Sequence, residues 1–146
     1  MENNDLKLLQ SFNVELKAFE LTEDIISALR LFGDVKFKVA SQSQFTKLSV
    51  FSKDFRLING LLVKDSPSGT EVYASADCYK LPENCSKFFA NCQFITSVDF
   101  SNFDTSTVSD VSGLFERCTS LESVDLSSFN FSNVKTMNRI FIIVKV

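Results

Sequence analysis

Apolar and polar positions follow two different rhythms along this chain. From residue 89 onward they recur at a fixed spacing of 26. Phe89 falls on Phe115, and Phe115 on Phe141; Cys92 falls on Cys118, and Val98-Asp99 on Val124-Asp125. Ser101 falls on Ser127, while Phe103, Ser106 and Val108 fall on Phe129, Ser132 and Val134. Apolar character persists where identity fails, as in Ile95 with Leu121, Phe100 with Leu126, Val111 with Met137 and Leu114 with Ile140. A fixed period in the twenties marks stacked repeats, none of which can bury its apolar face alone.

Within the copy 115–141, Leu121, Val124 and Leu126 are expected to point inward and Phe129 to turn the corner. Ser123, Asp125 and Ser127 alternate outward with the period of two of a strand. Residues 130–133 read as a turn. Val134, Met137, Ile140 and Phe141 then recur at three- and four-residue spacing, which predicts a short helical turn facing the core. Each coil thus reads as strand, turn, short helix, turn. The copies are 89–114 and 115–141. Residues 72–88 read as a degenerate first coil, because Val72 and Ala74 stand 26 before Val98 and Phe100. The repeat core is expected to comprise Phe89, Cys92, Val98, Phe100, Phe103, Val108, Phe115, Cys118, Leu121, Val124, Leu126, Phe129, Val134, Met137 and Phe141.

The first half has no repeat. Thr22 as N-cap, Glu23 and Asp24 in the first turn and Gly33 at the end predict a helix whose apolar face is Ile25, Ile26, Leu29 and Phe32. Val35, Phe37 and Val39 alternate with Lys36 and Lys38, and Phe45, Leu48 and Val50 read as a further strand-like run. Residues 56–58 and 61–63 flank Asn59-Gly60, a strong hairpin signal. Residues 12–19 are ambiguous between strand and helix, and 65–69 read as a turn or linker. The expected fold class is α+β: an α+β cap over 1–69, followed by a β/α solenoid of about three coils over 70–146.

Composition narrows the function. A net charge of -3 with no basic stripe argues against nucleic acid. The aromatic residues are nearly all Phe, which suits a core. No stretch of eighteen apolar residues is present, so no transmembrane helix or membrane insertion is expected. The N-terminal residues lack the pattern of an export leader. As written the chain reads as cytoplasmic. The chain has no His, no G-x-S-x-G and no phosphate loop, so no catalytic residues are assigned and an enzyme is not expected. Asp99 and Asp125, one coil apart, are a carboxylate pair of a kind that could bind a cation, but repetition alone produces such a ladder. Cys78, Cys85 and Cys92 are spaced by seven, unlike a zinc site, and read as buried thiols with Cys118; no metal and no cofactor are expected. Asn84-Cys85-Ser86 and Asn130-Phe131-Ser132 match the glycosylation acceptor by chance.

The strings LPENCSKFFANC and SVDFSNFDTSTVSDVSGLFERCTSLESVDLSSFNFSNVKTM resemble the BspA-like leucine-rich-repeat surface proteins, whose repeat reads approximately MFxxCxSLxxLDLSxFDTSNVTDM. The resemblance covers residues 78–141. It implies a right-handed leucine-rich-repeat-like solenoid, a cell-surface or secreted location, and adhesion to host or neighbouring-cell proteins. The candidate binding face is Ser97, Asp99, Ser101, Ser123, Asp125 and Ser127. The partner expected is a protein. The alternative is a truncated or degenerate repeat fragment with a purely structural role. The closing string IFIIVKV combines β-propensity with little charge, so self-association through the C-terminal edge is also expected.

Overall fold

The computed structural model describes residues 16–141. Thr22 caps the first helix as expected, its Oγ1 accepting from Ile25 N at 3.3 Å. That helix, α1 (Glu23–Leu29), follows a short strand β1 (Phe19–Glu20) and ends at Arg30 in the left-handed conformation (φ 52°), not at Gly33. Gly33 instead opens β2 (Gly33–Ala40), whose Val35 and Phe37 are buried.

Residues 42–51 are not a strand. They form α2 (Gln42–Phe51), because Ser41 and Gln44 cap each other's backbone N–H groups. Phe45 and Leu48 stay half-buried and Val50 exposed. The Asn59-Gly60 turn, with φ of 49° and 79°, joins β3 (Phe55–Ile58) to β4 (Leu61–Ser66). The chain continues through β5 (Gly69–Ser75), β6 (Tyr79–Lys80), β7 (Ile95–Asp99), β8 (Phe103–Asp104) and β9 (Ser123–Asp125). Of the ambiguous residues 12–19, those before Leu16 lie outside the described residues, as do Ile142 to Val146 of the closing string.

Two sheets result. The larger has the order β3-β4-β5-β2-β7-β9, antiparallel from β3 to β5 and parallel from β5 to β9. The smaller is the parallel trio β1-β6-β8. One contiguous core joins them, including Val35, Phe37, Val72, Tyr79, Phe89, Phe103 and Phe115. Its aromatic rings form columns: Phe89 stacks on Phe115 at 5.6 Å, and Phe115 on Phe141 at 5.8 Å. Leu61, Leu62 and Val63 are all buried on β4, between β3 and β5, both of which contact α2.

The expected solenoid with a separate cap does not hold. The described residues form an α+β fold of two helices and two sheets, and two observations account for the difference. First, β2 is inserted between β5 and β7. Val72 therefore pairs with Phe37, and Val98 with Val35, so residues 72–88 do not supply the strand of a first coil next to β7. Second, among the described residues no helix follows Phe51. The segment 134–141, expected to be helical, consists of turns and a bridge. A left-handed residue interrupts it at Arg139, and the equivalent segments carry one at Lys87 and Gly113, with a second set at Asn91 and Arg117. A left-handed residue ends a right-handed helix after a single turn. The 26-residue offset nonetheless persists as pairing register: Ser97, Val98 and Asp99 pair with Ser123, Val124 and Asp125, and the bridges Asn84–Asp110 and Asp110–Thr136 repeat it on the return segments.

Burial follows position in this stack. Phe89, Val98, Phe100, Phe103, Val108, Phe115, Cys118 and Phe129 are buried. Cys92, Leu121, Val124, Leu126 and Val134 are half-buried. Met137 and Phe141, expected in the core, are 51% and 48% exposed, because the last layer has nothing stacked on its far side among the described residues.

Candidate functional site

An Asp or Asn followed two residues later by Ser is the local unit of the repeat. The Asx carboxyl or amide oxygen accepts the Ser backbone N–H and closes a turn. This occurs from Ser86 to Asn84, Ser101 to Asp99, Ser106 to Asp104, Ser112 to Asp110, Ser127 to Asp125 and Ser132 to Asn130, all at 2.8–3.0 Å. Both glycosylation-like strings are turns of this kind.

The six candidate residues divide accordingly. Ser97 and Asp99 lie on β7 beside Ser123 and Asp125 on β9, in register. Asp99, Ser123 and Asp125 are exposed and Ser97 is half-buried. Ser101 and Ser127 lie beyond the strand ends, in turns, and serve the Asp oxygens through their backbone. The Asp carboxylates are thus partly engaged in holding the turns. Bonds from Ser127 hold the Asp125 carboxyl below its ordinary range. The corresponding Ser106 and Ser112 bonds do the same to Asp104 and Asp110.

The same sheet face continues onto residues that the repeat did not single out. Ser97 Oγ donates to Asp34 Oδ1 at 2.6 Å, tying β7 to β2. Lys36 stands opposite Asp99 in the register, and its ammonium lies 3.9 Å from Asp34 Oδ2. Lys38 donates to Glu71 Oε1 at 2.9 Å, which raises the lysine's pKa, and its ammonium lies 5.5 Å from the centre of the Tyr73 ring. The alternation of Lys36 and Lys38 marked the strand; only the inserted pairing of β2 shows that it shares a face with Asp99. Beyond them, α2 and the sheet enclose a groove of about 570 Å³ lined by Val39, Ala40, Leu48, Phe51 and Tyr73 among others.

All four cysteines are free thiols; Cys85 and Cys118 are buried as expected, whereas Cys78 and Cys92 are only half-buried. Cys85 Sγ donates to Pro82 O and Cys118 Sγ to Phe89 O, each at 3.0 Å. Burial pushes both thiols up to about 12, and Cys92 up to about 11. Among the described residues no group of three or more His, Cys, Asp or Glu could hold a metal ion, and no helix is long and apolar enough to cross a membrane.

Residues 81–145 match the family model described as "Mycoplasma protein of unknown function, DUF285". The match spans the region of the 26-residue repeat and less than half of the chain. No curated protein and no solved structure matches the chain significantly.

Proposed function

We propose that this chain is a non-catalytic protein-binding module of the surface-adhesin type, engaging its partner through the outer face of β2, β7 and β9. The observation that carries the reading is the exposed pair Ser123 and Asp125 beside Ser97 and Asp99, continuous with Lys36. The face is polar and of mixed charge, which suits a protein partner and selects it by charge complementarity. Two strands alone make a small patch against the roughly 800 Å² per partner of a standard interface. Lys36, Lys38 and Glu71 extend it across the sheet.

The test is saturable binding of the labelled full chain to intact host cells and to cells of the producing organism, with trypsin-shaved cells as control. Binding that trypsin abolishes, weakened at least tenfold by Asp99→Lys with Asp125→Lys, supports the reading. Asp99→Asn with Asp125→Asn separates charge from folding, since the amide oxygens still accept the turn N–H groups. No saturable binding to either cell type would sink the adhesin reading. Undiminished binding by both double variants would move the contact elsewhere.

A second reading, a repeat unit with a purely structural role, is favoured by one observation: Ser101 and Ser127 already engage the Asp99 and Asp125 carboxylates. On that reading the Asn pair behaves as the parent does, and the Lys pair loses stability.

A further inference from the structure

Strand β9 is the last of the larger sheet, and among the described residues only β7 pairs with it. The layer that carries it is apolar on its outward side. Leu121, Val124, Leu126, Val134 and Ile140 are half-buried, and Phe131, Met137 and Phe141 are exposed. The preceding layer presents the equivalent set to this one and is covered by it: Phe89 and Phe115 are fully buried where Phe141 is not. An open strand edge beside a contiguous apolar surface favours addition of another strand.

We propose that this edge is the interface between two copies of the chain, related by a two-fold axis through Val124. An isologous contact must be self-complementary, and the sequence Ser123-Val124-Asp125 has that property. Setting two β9 strands antiparallel about Val124 places Val124 against its own copy. It also sets each Ser123 opposite the other copy's Asp125, so no carboxylate faces a carboxylate. A Ser opposite an Asp already occurs in the parallel part of the sheet, where Ser97 stands opposite Asp34 and donates to it at 2.6 Å. The alternative register, with Asp125 opposite Asp125, sets like charges against each other at a cost. Pairing would join two six-stranded sheets into one and cover Met137 and Phe141.

The experiment is light scattering coupled to size exclusion on the full chain under reducing conditions, over a range of concentrations. The expected particle has twice the 16.4 kDa of the chain. Two variants test the register. Ser123→Glu places a second acid opposite Asp125 and is expected to weaken the dimer roughly two- to thirtyfold, because the cross-strand pair occurs twice. Ser123→Lys places a base there and is expected to tighten it by a similar factor. Met137→Glu, which puts a charge on the layer's exposed apolar surface, is expected to split the dimer. Circular dichroism and the thermal midpoint, measured below the dissociation constant, establish that each variant folds. A monomer at all concentrations overturns the proposal. So does an open-ended series of oligomers, because a two-fold edge closes at two. A dimer indifferent to the sign of the charge at residue 123 also overturns it.

Discussion

Asp104, Asp110 and Asp125 do the same small task, each accepting the N–H of the Ser two residues on. Those bonds hold all three carboxyls below the ordinary value of 3.8. The sign of the linkage follows. The unfolded chain takes up protons at a higher pH than the folded one, so the contribution to stability is complete above the ordinary value. It is lost as pH falls through the depressed folded values. The chain has no His, so no side chain of ordinary pKa titrates between pH 6 and 8. We expect urea midpoints to be flat from pH 6 to 8 and to fall steeply below about pH 4. In the triple variant Asp104→Asn, Asp110→Asn, Asp125→Asn the acid fall should be shallower and the neutral midpoint lower, since an amide oxygen keeps the bond but not the charge that strengthens it. An unaltered acid slope would show that these turns are not its source. These bonds were hidden in the sequence: Asp-x-Ser strings are common, and alternation alone put Ser101 and Ser127 on a strand face rather than in turns.

Elements differ in how much they rest on local signals. The Asn59-Gly60 hairpin and the Thr22 cap are local, and both were legible. The α2 signal is also local, in the capping pattern Ser41-Gln42-Ser43-Gln44, but the strand-like run of Phe45, Leu48 and Val50 masks it. No residue of α2 is buried, so the helix depends more than usual on its cap. Ser41→Ala should cost about 1 kcal/mol in a chemical unfolding series. The β2–β5 junction is the opposite case. Gly69, at φ 159°, lies so close to the Asp34 backbone that an added Cβ would fall 2.1 Å from Asp34 O, and one on Gly33 would fall 2.4 Å from Ser68 O. Gly69→Ala should therefore cost more than Ser41→Ala, at roughly 2 kcal/mol or above, since neither backbone can yield within the sheet. Equal costs would mean the junction relaxes. In the sequence Gly33 looked like a helix stop and Gly69 the end of a linker; their meeting depends on pairing between distant segments.

At the scale of the molecule, the repeat was legible as a register but not as an architecture. Sliding the sequence by 26 correctly sets Val98 beside Val124. It could not reveal that β2, outside the repeat, occupies the place next to β7 that the same slide gave to Val72. Tyr79 shows how closely the two halves are joined. Its ring is fully buried against Phe37 and Phe103, and its hydroxyl donates to Lys38 O at 2.6 Å with Val72 O at 3.2 Å. Residues 70–146 expressed alone would keep Tyr79 but lose Phe37, Lys38 and the neighbour of β5 and β7. That fragment is expected to lack a cooperative thermal transition, and supplying residues 1–69 in trans should restore one. A sharp transition in the isolated fragment would show that the halves are independent.

The insertion of β2 also sets an order of events at the ribosome. Asp34 must wait for Ser97, 63 residues later, before its strand has a partner on that side. Until then an apolar, β-prone segment is exposed on the nascent chain, and closing such a long loop slows folding. The same pairing that unites the molecule thus makes its early half dependent on its late half. Premature release between residues 40 and 95 should yield an aggregation-prone product rather than a smaller folded domain.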